Sequence, residues 1–134
     1  MAWNVVIGLK PDADNRGLLK LAAELAPAPG KIHLASFINV GTADDEADRL
    51  RQVEQKLDKL ADDLEGQGYE VKVHAQINSL SAGANLARLA DDVSADLLVI
   101  GIVKRSRVGK ALLGSDAQTA ILTAPCAVVS ARVS

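Results

Sequence analysis

The sequence predicts an α/β fold, a parallel sheet covered by helices on both faces. Short β-branched apolar runs recur five times along the chain. The segments between them carry apolar residues at helical spacing, so strand and helix alternate, the pattern of right-handed crossovers in a parallel sheet. Two of the runs, Asn4–Leu9 and Leu97–Ile100, are apolar almost throughout, as strands buried on both faces are.

The first strand stops at Lys10-Pro11-Asp12. Asp12 or Asp14 is placed to cap a first helix packing through Leu18, Leu19, Ala22, Ala23, Leu25 and Ala26, ended by Pro27, Pro29 and Gly30. Lys31–Val40 is the second strand, and Gly41-Thr42 opens a long helix. In that helix Leu50, Val53, Leu57, Leu60 and Leu64 form one apolar stripe. Asp44, Asp45 and Glu46 suit the positive end of its dipole, and Gly66 and Gly68 close it. Tyr69–Ile77 is the third strand, with Tyr69, Val71, Val73 and Ala75 on one face. Ser81 is placed to cap a third helix that packs through Leu86, Leu89, Ala90 and Val93. The fourth strand leads into a basic loop, Gly101–Gly114, then a short helix from Ser115 to Ala124 stopped by Pro125. Cys126–Ala131 is the fifth strand. No internal repeat, low-complexity stretch or linker divides the chain, so residues 1–134 read as one domain.

With 134 residues, 49% of them apolar, the chain can build one buried core. Aromatics are only 2%, too few for a base-stacking platform, and a net charge of −2 gives no global field for nucleic acid or an anionic membrane. One cysteine, Cys126, excludes an internal disulfide and a Cys-rich zinc site. No apolar run approaches a membrane span, and the N-terminus lacks a basic segment followed by an apolar one. The expected setting is cytoplasmic.

Ligands of such folds bind beyond the carboxyl ends of the strands, where the strand order reverses. The places to search are therefore Lys10–Asp12, Asn39–Gly41 and Gly101–Ser115, and the last is the informative one. Gly114-Ser115 starts a helix, whose free N–H groups and dipole make an anion site. Lys104, Arg105, Arg107 and Lys110 crowd the loop, with no acid before Asp116. A Walker loop is excluded, because Gly109-Lys110 is followed by Ala111 and its first glycine falls on Lys104. The dinucleotide fingerprint is also absent after the first strand.

These motifs resemble the universal stress protein (UspA) family. The resemblance spans nearly the whole chain. It is carried by Ala95-Asp96-Leu97-Leu98-Val99-Ile100-Gly101, by Leu112-Leu113-Gly114-Ser115, and by the closing Ala124-Pro125-Cys126-Ala127-Val128-Val129. It implies a flavodoxin-like, Rossmann-like sandwich with a five-stranded parallel sheet of order 3-2-1-4-5. It also implies a homodimer through the fifth strand, Cys126 to Val133, and a regulatory or stress-response role rather than an enzyme's. Many members bind ATP through Gly, two residues, Gly, nine residues, Gly-Ser/Thr. Gly101 and Gly114-Ser115 match that pattern, while Lys104 replaces the middle glycine. Lys10 stands where the family ends its first strand with a nucleotide-contacting Asp, and Phe37 falls near the adenine-contacting position. The implied ligand is ATP or another adenine nucleotide, with no metal beyond magnesium carried by it.

Lys10 and Lys104 are expected to face one crevice and to repel unless an anion lies between them. Two readings follow. In one, Lys10, Lys104 and the Gly114-Ser115 backbone hold a phosphate-bearing ligand. In the other, the lysines fill a vestigial site, and the protein is a ligand-free dimer acting through protein contacts. Ser115 suits helix capping and phosphate contact alike. Arg105 and Arg107 read as a solvated loop, and Lys110 reaches either a phosphate or an acid such as Asp116. His33 and His74 read as packed or surface imidazoles rather than metal ligands, and Cys126 as a buried, inert thiol. No paired carboxylates and no Ser–His–Asp spacing support catalysis, so an enzyme such as a slow ATPase is the weakest expectation.

Overall fold

In a computed structural model, which describes residues 2–10, 13–39, 46–78, 80–102 and 114–133, strands and helices alternate as the sequence predicts. The elements are β1 (Trp3–Gly8), α1 (Arg16–Leu25), β2 (Gly30–Asn39), α2 (Glu46–Gly66), β3 (Tyr69–Asn78), α3 (Ala82–Asp92), β4 (Leu97–Ile102), α4 (Ser115–Thr123) and β5 (Ala127–Arg132). The sheet order is β3-β2-β1-β4-β5 and every pairing is parallel, the flavodoxin-like order. β1 pairs with β2 on one side and β4 on the other, so the order reverses at β1.

Alternation along the central strands divides the core into two layers. Val5, Ile7, Leu9, Leu34 and Val99 meet α1 and α2 through Leu18, Ala22, Val53 and Leu57. Val6, Ala35, Leu98 and Ile100 meet α3 and α4 through Leu86, Ala90 and Ala120. The long stripe of α2 behaves as predicted: Val53, Leu57 and Leu64 are buried and Leu60 packs against them. In β3, Val71, Val73, Ala75 and Ile77 pack on the α2 side, alternating with the exposed Glu70, Lys72 and Gln76. Tyr69 Oη donates to Ala26 O at 2.6 Å, tying the start of β3 to the end of α1.

Helix ends decide several local details. Ser81 caps α3 as expected: it is extended, and its Oγ accepts from the Ala84 N–H at 3.1 Å. The cap of α1 falls on Asn15 rather than Asp12 or Asp14. Asp14 is instead drawn to Arg16, accepting from its backbone N–H, Nε and Nη2. Pro11 and Asp12 lie outside the described residues. Glu46 and Asp48 provide the acidic first turn of α2, whereas Asp44 and Asp45 lie outside the described residues. β5 begins at Ala127, one residue after Cys126, which is half-buried.

Candidate functional site

β1 and β4 bring their carboxyl ends side by side, with Gly8 level with Ile100. α3 and α4 close the crevice from the second layer. Its walls are Gly8, Leu9 and Lys10 from the β1 end, Ile100 and Gly101 from β4, Ala82 and Leu86 from α3, and Asp116 and Ala117 from α4. The cavity between these walls is ≈ 50 Å³. That is room for a small group, well below the roughly 300–1,000 Å³ of whole-ligand sites.

The α4 end of the crevice rests on a close helix contact. Gly83 of α3 lies against the backbone of α4, where an added Cβ would collide with the carbonyl oxygen of Asp116. The Asp116 carboxylate turns toward the Gly83 N–H, 3.5 Å away. Gly114 is the N-cap of α4, with φ −62° and ψ 158°, and Ser115 takes the first helical position. This corrects the expectation that Ser115 is the cap. Gly114 has no side chain to satisfy the first-turn N–H groups, so that helix end depends on another acceptor. Its φ is an ordinary one, and an added Cβ meets no described atom within 4 Å. Neither backbone nor packing among the described residues demands glycine there.

Of the residues singled out from the sequence, Lys10 and Gly101 line the crevice and Gly114 lies at the α4 start, immediately before the wall residues Asp116 and Ala117. Lys10 is half-buried and Gly101 buried. Phe37, in β2, packs half-buried against the α3-side layer and is not among the described residues lining the crevice. Lys104, Arg105, Arg107, Lys110 and the Ser115 side chain lie outside what the structure describes, so the expected Lys10–Lys104 pairing falls there too. Cys126 has its thiol pushed up by burial, reinforced by the Asp96 carboxylate, which keeps it protonated and weakly reactive.

Two features escaped the sequence reading. His33 Nδ1 and His74 Nε2 are 2.9 Å apart, an imidazole pair across β2 and β3. His33 is 2% exposed, and its Nε2 has no hydrogen-bond partner among the described residues. Burial lowers its pKa to about 4, helped by His74, Lys31 and Lys72 and opposed by Glu70. The His74 pKa is lowered by burial and by Lys72. The signal was present: in the 3-2-1-4-5 order β2 and β3 are neighbours, and His74 lies two residues beyond Lys72, the register partner of His33. The second feature is a larger hollow between the β1–α1 connection and α2, on the opposite side of the sheet. Among the described residues no group of three or more His, Cys, Asp or Glu is placed to hold a metal ion. No described helix is long and apolar enough to cross a membrane.

The profile of the universal stress protein family matches residues 1–132. The chain belongs to the universal stress protein family. A universal stress protein from Archaeoglobus fulgidus superposes with a TM-score of 0.79 at 24% identity, over 97% of this chain and 98% of that one. The Archaeoglobus fulgidus protein in complex with dAMP gives 0.71 at 23% identity, over 96% of each chain. A universal stress protein in complex with cAMP gives 0.63 at 20% identity, over the full length of both. These likenesses establish the shared fold. No curated protein matches the sequence.

Proposed function

We propose that this universal stress protein is a small regulatory protein that binds an adenine nucleotide, phosphate end first, at the β1–β4 crevice. The observation that carries the reading is the start of α4. A glycine N-cap with an ordinary φ, and with no described atom within 4 Å of an added Cβ, opens a helix at the point where the strand order reverses. An anion supplies what such a helix end lacks, and a missing Cβ lets it come close. Lys10 adds a cation at the same crevice. Relatives of the same fold have been solved with dAMP and with cAMP, which supports adenine as the base.

The narrow described cavity suits the phosphate, so base and ribose extend past the crevice mouth. The replacement of the family's Asp by Lys10 shifts the site toward the charge of the phosphate rather than contact with the nucleoside. The role is regulatory rather than catalytic: the described crevice contributes Lys10 and Asp116 as its charged side chains, and Asp116 is turned to Gly83. Pairing of two copies through β5 is part of the proposal, because β5 is an outer strand with one open edge.

The test is calorimetric titration of ATP with magnesium, and of cyclic AMP, into nucleotide-stripped protein. Binding with Kd on the order of 1–100 µM is expected for at least one of them. Gly114→Val should weaken it about tenfold or more while costing no more than about 1 kcal/mol of stability, the ordinary loss from a poorer N-cap, because its Cβ meets no described atom within 4 Å. Absence of heat with both nucleotides at millimolar concentration would favour the protein-contact reading.

A further inference from the structure

The hollow between the β1–α1 connection and α2 has a cavity of ≈ 280 Å³. It opens on the face of the sheet opposite α3 and α4. Leu9, Ala13, Val53, Leu57 and Leu60 supply apolar walls. Ser36 of β2 also lines it, is 2% exposed, and its Oγ has no hydrogen-bond partner among the described residues. Asn15 is a second polar lining residue. Its Nδ2 is spent on Lys10 O and Ala13 O, at 2.9 and 3.0 Å, while its buried Oδ1 has no partner among the described residues. A buried hydroxyl and a buried amide oxygen left unpaired in one lining call for a partner, because each forfeits the hydrogen bonds it made to water. Lys10, Lys56 and Lys59 line the same hollow, and Arg16 there is bonded to Asp14, the one acid among the described lining residues, at 2.7 Å. The hollow is therefore apolar within, carries unspent hydrogen-bonding groups, and is cationic overall.

We propose that this hollow is a second ligand site, for a small hydroxyaryl carboxylic acid. The ring lies among Leu9, Val53, Leu57 and Leu60. The hydroxyl accepts from the Ser36 Oγ–H and donates to Asn15 Oδ1, and the carboxylate meets Lys59 and Lys10. The size agrees: an apolar cavity of about 150 Å³ takes one benzene ring, so ≈ 280 Å³ accepts a ring with a short acidic arm. The site is distinct from the nucleotide crevice, with which it shares only the β1 end, Leu9 and Lys10.

The probe is 4-hydroxycinnamate, titrated into the intact protein and followed by amide and methyl NMR shifts. Saturable binding with Kd on the order of 0.1–1 mM is expected, with shifts centred on Leu9, Val53, Leu57 and Leu60. Cinnamate, lacking the hydroxyl, should bind about fivefold more weakly, and the neutral 4-hydroxycinnamyl alcohol about tenfold more weakly. Ser36→Ala removes a hydroxyl with no partner among the described residues, so it should fold normally. It should reduce the preference for 4-hydroxycinnamate over cinnamate to less than about twofold. No saturation at millimolar concentration, shifts centred elsewhere, or an undiminished preference in Ser36→Ala would overturn the proposal. None of these outcomes bears on nucleotide binding, which is read with a different ligand.

Discussion

Acid should weaken this fold through one buried imidazole. His33 has a native pKa of about 4, whereas an unfolded histidine titrates near 6.5. The native state therefore resists the proton that the unfolded state takes up. The stability contributed by neutral His33 is fully present above about pH 6.5 and is lost as the pH falls toward about 4. Linkage between those two values gives a loss of about 2 kcal/mol at pH 5 and about 3 kcal/mol at pH 4. Burial is the main cause, and His74, Lys31 and Lys72 add to it, with Glu70 acting in the opposite sense. The His74 shift has the same sign, so its effect adds. The assay is urea unfolding followed by circular dichroism between pH 7.5 and pH 4.5, on the native protein and on His33→Gln. Glutamine is close in volume, does not titrate, and can still hydrogen-bond His74. The native protein should lose about 2 kcal/mol more than the variant between pH 7.5 and pH 5. Parallel pH profiles, agreeing within ~0.5 kcal/mol, would refute the argument, since His33 would then titrate alike in both states.

Two further substitutions test the packing that positions the crevice. Gly83→Ala drives a methyl into the Asp116 carbonyl, which is backbone and cannot swing aside, so α3 and α4 must separate. A loss of about 2–4 kcal/mol in chemical denaturation is expected, and a loss below ~0.5 kcal/mol would show that the helices are not in that contact. Tyr69→Phe removes the hydroxyl that reaches Ala26 O and leaves that carbonyl without it. It should cost about 1–2 kcal/mol, and a neutral result would mean that water satisfies the carbonyl equally well.

Much of this architecture was legible in the sequence, and the reasons differ by element. β1 and β4 announced themselves because burial on both faces removes polar residues from both sets of alternating positions. α2 was clear because its stripe, Leu50 to Leu64, repeats over about four turns. The strand order was not readable from periodicity and came from the resemblance, since local pattern carries no record of which strands become neighbours. That is also why the His33–His74 contact was missed, as it exists only through the register of β2 on β3. The cap of α1 was misplaced because Asp14, Asn15 and Arg16 compete locally. The guanidinium claims Asp14, and Asn15 takes the cap position. At the site, Lys10, Gly101 and Gly114 could be placed from their positions after strands and before a helix. The pocket holding Ser36 could not, because a serine in an apolar strand reads the same whether it packs or binds. Only its unpaired oxygen beside a hollow separates the two.

The central claim is that a phosphate occupies the start of α4, and backbone amides report it most directly. Isotope-labelled protein titrated with AMP should show saturable shifts of the Gly114, Ser115, Asp116 and Lys10 amides, with smaller changes along β3 and β5. Unmoved amides at the start of α4 at millimolar AMP, or shifts confined to another face, would contradict the account and leave this universal stress protein to act through its contacts with other proteins.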